Sequence, residues 1–157
     1  MLTVWLFIIL LIALNALYVN AEFGAVSVRR SKIRQLAEAG KRLAIRLLPV
    51  LEDPARLDRY IAACQIGITW SSLVLGAYSQ AFLTPGLIPL LTEAGLGPRA
   101  AESAATIGVL VLMTTFQVVA GELIPKSLAL QYPVQSALYT LPDRKSTRLN
   151  SSHANIS

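Results

Sequence analysis

Three long stretches without a charged residue leave this chain few folds to choose from. Residues 2–19 are uncharged, with Thr3 and Asn15 as their polar interruptions. Residues 61–92 are uncharged throughout, and residues 106–121 are uncharged again. About 20 apolar residues span the hydrocarbon core of a bilayer as a helix. The pattern predicts an all-α membrane protein with three transmembrane helices. The second block is long enough to be tilted, bent or partly re-entrant. The alternative is a very apolar soluble bundle, which the length of the blocks opposes. The first block also has a reading as a signal peptide, because "VNA" before Glu22 resembles a small-residue cleavage site. No positive charge precedes that block and the basic residues follow it, which is the reverse of a signal peptide.

Charge then orients the spans. The net charge is +5. Residues 29–59 carry the whole of that excess. Lys and Arg concentrate in cytoplasmic loops. The loop 29–59 is therefore expected in the cytoplasm, with the N-terminus outside, in a multi-pass protein of the cell (inner) membrane. The connection between the second and third spans holds Glu93, Arg99 and Glu102 and suits the outer side. Lys126 then marks the inner end of the third span. Beside a membrane, topology and anionic lipid explain a basic loop better than nucleic acid does. Membrane lipid is an expected partner and nucleic acid is not.

Within the basic region, Ile33, Leu36, Ala37, Leu43, Leu47 and Leu48 recur at roughly helical spacing. This predicts a basic juxtamembrane amphipathic helix, interrupted at Gly40 and ended by Pro49 and Pro54. In the first span Ala13, Ala16, Asn20, Gly24 and Ser27 fall on one helical stripe, a surface for close helix approach. Asn15 and Glu22 lie on a different face. In the second span Gln65, Thr69, Ser72, Gly76 and Ser79 share a face. "TPGLIP" (Thr84 to Pro89) is expected to break that helix, since proline removes backbone donors. "GLGPR" predicts the turn before the third span. There Gly108, Thr115 and Glu122 recur at sevens and share a face. A short apolar stretch, interrupted by Pro133, continues from Leu128 to Leu141.

The third span ends in "GELIPKS", Gly121 to Ser127. An ionisable group in a membrane is costly and faces a bundle interior or a water-filled path. Pro125 cannot donate to the carbonyl four residues back, which is that of Gly121. Glu122 is thus expected beside a freed carbonyl. With Ser27, Thr69 and Ser72 the set is oxygen-only, the kind that hard cations such as magnesium prefer. A packing explanation stands beside this one. Glu122 and Lys126 are four apart in the order that favours an ion pair, and Ser/Thr stripes serve interhelical hydrogen bonds. Glu22 has a similar choice, with Arg29 or Arg30 as partner. Cys64, alone, reads as a buried inert thiol. No phosphate loop, Gly-x-Ser-x-Gly elbow or His-Glu metalloprotease pair is present, so enzymatic activity is not expected.

Three stretches together resemble one family: "NALYVNAEFGAVSVRRSKIRQLAEAG", "LEDPARLDRYIAACQIGITWSSLVLGAYSQ" and "VVAGELIPKSLALQYP". They are similar to the transmembrane domain of the CorC / cyclin M (hemolysin-C-like) magnesium exporters, from the first span to Leu141. The resemblance implies a homodimer of three-helix domains that exports Mg2+, with Na+ as coupling ion in some members. It also implies an ion site drawn from the three helices. The matching positions are Ser27 in "AVSVRR", Gly67 and Ser72 in "QIGITWSS", and Glu122 in "GELIPK"; Thr69 and Gly121 join the expected site from the residue reading above, not from the resemblance. Members of that family continue into cytoplasmic CBS modules that bind adenine nucleotide in some cases. No residue here corresponds to them, so ATP has no site in this chain. The competing function is a membrane-anchoring or dimerisation module whose polar faces only pack helices.

The end, "DRKSTRLNSSHANIS", is polar and aperiodic. Asp143 to His153 resembles a translated sequencing adapter. Residues 143–157 are therefore set apart from the domain at 1–142, His153 is given no role, and the chain is expected to be a fragment.

Overall fold

The computed structural model describes residues 2–140, so the tail at 143–157, His153 included, lies outside the described residues. Helix α1 (Leu2–Ser27) is the first span. Two short helices follow, α2 (Arg30–Glu38) and α3 (Arg42–Glu52). The second span, α4, runs from Pro54 to Glu93. The third is built of α5 (Pro98–Phe116), a π-helical segment (Gln117–Leu123) and α6 (Ile124–Gln131). Helix α7 (Pro133–Tyr139) closes the described chain. No strand occurs among the described residues. Helix α1, helix α4 and the α5–α6 unit are each long and apolar enough to cross a membrane. This is an all-α, multi-pass membrane protein.

The basic region differs from the single interrupted helix expected of it. It forms a hairpin of two helices, because Gly40 takes φ 81° in the turn between them, a conformation open chiefly to glycine. Arg34 Nη2 donates to Glu52 Oε1 at 2.5 Å across the hairpin. That hydrogen bond, and then the carboxylate charge, raise the pKa of the Arg34 guanidinium. Pro49 does not end α3 but sits inside it. Its outward, exposed position lets water serve the carbonyl that it leaves without a donor. The end comes at Asp53. Its Oδ1 accepts from Ala55 N at 3.0 Å as the N-cap of α4, with Pro54 in the first turn, where proline's missing N–H costs nothing.

The expected break at "TPGLIP" does not occur, and α4 runs through Pro85 and Pro89 without interruption. The two prolines are four apart, so the lost donors fall on one side, and proline's fixed φ is itself helical. Gly95, at φ 98°, ends α4, and Gly97 precedes Pro98 at the start of α5. This is the turn expected of "GLGPR".

Helix α4 packs antiparallel to α1. Phe7 packs on Tyr78 with ring centroids 4.6 Å apart and planes tilted by 53°, and Glu22 meets Gln65. The third span runs parallel to α1, with Gly121 beside Asn15 and Lys126 beside Phe23. One apolar cluster joins Ile8, Leu11, Ile12, Leu75, Val109 and Met113 among the spans. A second joins Ala25, Val28, Ile33, Leu47, Leu51 and Leu138 around the hairpin and α7. The small-residue stripe of α1 makes its close approach at Gly24, where a Cβ would stand 2.8 Å from Ala137 N. Ala13 faces outward instead.

Candidate functional site

Between the two apolar clusters the spans meet through polar atoms. Asn15 is fully buried at the centre. Its Nδ2 donates to the Gly121 carbonyl at 3.1 Å. Its Oδ1 accepts from Ser71 Oγ at 2.8 Å and from Ser72 Oγ at 3.4 Å. Gln117 Nε2 donates to Ser72 Oγ. One carboxamide thus links α1 to α4 and to the π-helical segment, and a second ties that segment back to α4. Helix contacts in lipid gain little from apolar burial, so such hydrogen bonds carry a larger share of the cohesion.

The π-segment explains why Gly121 is open to Asn15. In an unbroken α-helix the Pro125 ring would press on the carbonyl of Gly121 and offer it no donor. Each π-turn takes up an extra residue, as in the bond from Ile124 N to Val119 O. The turn widens, and a side-chain amide on another helix supplies the missing donor. Gly121 has room for this only because it lacks a Cβ, which would lie 2.9 Å from Asn15 Nδ2. The same extra residue breaks the heptad phase. Gly108 and Thr115 are exposed while Glu122 is half-buried, so the face expected to join all three does not exist.

Glu122 follows directly on Gly121. Its carboxylate makes no hydrogen bond or ion pair with any described residue. Lys126 does not take it up, because its Nζ lies 4.5 Å from the centroid of the Phe23 ring. The packing explanation of this carboxylate therefore lacks its ion pair. Glu22 is likewise engaged by Gln65, whose Nε2 donates to its Oε1 at 3.3 Å.

Of the expected ion-site residues, Ser72 and Gly121 are joined through Asn15, and Glu122 follows Gly121 in the chain. Gly67 lies a turn away. Its carbonyl accepts from Ser71 Oγ at 2.9 Å, and a Cβ there would stand 2.6 Å from the Tyr18 ring. Thr69 is exposed and its Oγ1 bonds the Gln65 carbonyl at 2.9 Å. Ser27 stands about 18 Å further along α1 than Asn15, at about 1.5 Å per residue. It lines a separate open cleft of about 300 Å³ with Arg29, Lys32, Gln35 and Pro133. No three His, Cys, Asp or Glu side chains converge among the described residues. Asn15, Ser71 and Gln117 carry the network without having been singled out from sequence. Asn15 did carry a signal, since a lone carboxamide midway along an apolar span needs partners.

Fold and seam define a multi-pass membrane protein with a polar interior where three helices meet. The chain belongs to the cyclin M transmembrane family, whose transmembrane N-terminal domain matches residues 6–143. It is 39% identical over 128 residues to UPF0053 protein YhdT of Bacillus subtilis, covering 82% of this chain and 27% of that protein. It is 38% identical over 125 residues to UPF0053 protein YugS of the same organism, covering 79% and 28%. A third relative, from Haemophilus influenzae and named polyamine export protein, is 30% identical over 131 residues, covering 83% and 29%. The chain thus spans less than a third of the length of these relatives. No solved structure matches it.

Proposed function

We propose that this chain is the membrane domain of a cation exporter that moves Mg2+, with Na+ as the coupling ion, and that works as a homodimer in the cell membrane. The N-terminus lies outside and residues 29–59 lie in the cytoplasm. Any ATP-dependent regulation resides in cytoplasmic modules beyond this chain. The observation that carries the reading is Glu122, a half-buried carboxylate without a partner among the described residues, in the π-helical segment next to Gly121 of a buried polar network.

The network suits reversible cation binding for a chemical reason. The Gly121 carbonyl and the Ser72 hydroxyl both accept from carboxamide N–H groups. A carboxamide carries an oxygen as well as two N–H donors. Rotated about its last torsion, Asn15 or Gln117 presents that oxygen and uncovers the carbonyl or hydroxyl that it had served. The Asn15–Gln117 network is hydrogen-bonded without a cation and offers hard oxygen ligands with one. Glu122 adds the charge.

The test is Glu122→Gln in the intact protein, read by Mg2+ efflux from loaded cells or proteoliposomes. Efflux should fall to background while the protein still assembles. Undiminished efflux removes Glu122 from the mechanism and favours the anchoring reading. The name of the Haemophilus influenzae relative favours a second reading, export of an organic polycation. Efflux of labelled spermidine, lost in the same variant while Mg2+ efflux was never present, would select it.

A further inference from the structure

The polar seam does not stop at Gln117. Beyond it, between α4 and α5, lies a cavity of about 10 Å³ lined on its polar side by Ser79, Gln80, Thr114 and Gln117 and on its apolar side by residues that include Leu75 and Met113. A space of this size holds about one water molecule, and it does so only where polar partners are present. They are. Ser79 is 1% exposed and its Oγ has no hydrogen-bond partner among the described residues. Helical serines commonly bond the carbonyl one turn back, as Ser71 does with Gly67 at 2.9 Å. Ser79 does not, and it lines the cavity. Gln117 spends its Nε2 on Ser72, which leaves its Oε1 on the same seam. An orphaned buried hydroxyl in a membrane protein needs a reason.

The polar atoms continue outward from there. Gln80 Nε2 donates to the Thr106 carbonyl at 3.0 Å, and Gln80 Oε1 accepts from Thr84 Oγ1 at 2.8 Å. On the inner side the series begins where Gln65 meets Glu22. From Gln65 to Thr84, α4 rises about 28 Å at about 1.5 Å per residue. The hydrocarbon core is about 30 Å thick. Polar groups therefore recur through the whole thickness, first against α1 and then against α5. Helix cohesion alone gives no reason for an unpaired hydroxyl and a water-sized space in this series.

We propose that the α4–α5 seam is the outward half of a translocation route contained within one protomer, with Ser79 as its hydration step. Its occupant is a small inorganic cation that sheds most of its water at the Asn15–Glu122 level. That cation exchanges ligands with the Ser79 hydroxyl and the Gln117 carboxamide oxygen on its way out. A cavity for one water excludes an organic polycation unless α4 and α5 part. The proposal rests on the transport reading, yet it has a consequence of its own: Ser79 should be reachable from the outer aqueous phase.

Silver ion is the probe, because it is a small cation that replaces the proton of a thiol. Ser79→Cys is made on a Cys64→Ser background in the intact protein, with Leu73→Cys, on the exposed side of α4, as the lipid-facing control. Ag+ is added outside, and the thiols left over are counted with a maleimide after solubilisation. The thiol at position 79 should be consumed at least about tenfold faster than the one at 73. Ser79→Leu should cut cation efflux about tenfold or more. Serine and cysteine are close in size, so the labelling arm survives even if the leucine variant fails to fold. Equal, slow reaction at 79 and 73 overturns the route. If Glu122→Gln abolishes efflux and position 79 is inert, the ion site stands and the outward route falls. If position 79 reacts and Glu122→Gln leaves efflux intact, the hydrated seam stands and the proposed ion site falls.

Discussion

The middle of the helix bundle and the hairpin of α2 and α3 are held together by different means. In the bundle, the buried centre is Asn15 with Ser71, Ser72, Gln117 and the Gly121 carbonyl. At the hairpin, the buried centre is Ile33, Ala44, Leu47 and Leu51, each at most 1% exposed, sealed by Val28 and by Ala137 and Leu138 of α7. The bundle sets a polar seam beside its apolar cluster, whereas the buried centre of the hairpin is apolar throughout. A difference in solvent accounts for the contrast. Burial from water releases about 25 cal/mol per Å² of apolar surface. Lipid tails are as apolar as leucine, so burial from lipid gains nothing comparable. A hydrogen bond weighs the other way, since no water in the hydrocarbon core competes for its partners.

The largest expected effect lies on the aqueous side. Leu47→Ala should destabilise the hairpin by about 2–5 kcal/mol, the usual range for truncating a buried leucine. Thermal unfolding in detergent, with proteolysis at the hairpin as a second readout, measures it. A loss under about 1 kcal/mol would mean that the hairpin gains little from water exclusion and lies deeper in the bilayer than its charge suggests.

Asn15→Leu comes next. It removes the donor to Gly121 and the acceptor for Ser71 and Ser72 together. Leaving a buried partner unsatisfied costs about 1–3 kcal/mol, whereas interhelical hydrogen bonds measured in membranes average about 0.6. The expected loss is about 1–3 kcal/mol, because several partners are orphaned at once. Transport should fall by more than that loss explains, as the carboxamide oxygen is lost too. A fully stable, fully active Asn15→Leu protein would end the comparison, since the seam would then hold nothing together.

Sequence carried this contrast unevenly. The three uncharged blocks and the basic loop were enough for an all-α membrane protein, and glycines at 40 and 95 marked real turns. Proline was the poorest guide. Pro49, Pro85 and Pro89 all lie inside helices, because a missing donor ends a helix only when nothing else offsets its loss. Pro125 acted through a different geometry, a π-helical segment that no residue spacing announces. That segment shifted the phase of the third span, so the face drawn through Gly108, Thr115 and Glu122 was lost. The polar face of α4 was nearer the mark. Ser72, Gly76 and Ser79 lie on the seam, while Ser71, one position off the stripe, turned inward beside Ser72. Partners separated by a hundred residues, such as Asn15 and Gly121, are a product of packing and could not be read from spacing on either helix.

The smallest expected effect tests the boundary between the two regions. Lys126 has two neighbours to choose from: the Phe23 ring, over which its Nζ lies at 4.5 Å, and Glu122 one turn back. An ammonium over an aromatic face gains about 0.5–1 kcal/mol at an exposed site, so Phe23→Leu should cost about that much stability. Its functional effect should be larger. A lysine released from the ring is free to pair with Glu122 at the favourable i, i+4 spacing, and a cation would then have to displace it. Mg2+ efflux should show a raised half-saturating concentration in Phe23→Leu, with little change at saturation. Adding Lys126→Met should restore the original value, because the competitor is gone. If the single variant shows no shift, Lys126 does not reach Glu122 even when released, and the ring is there only to shield the lysine's stem from lipid. If the shift appears and Lys126→Met fails to reverse it, Phe23 acts on the site through packing of α1 rather than through the lysine. The ring would then belong with the apolar contacts of the hairpin rather than with the polar seam.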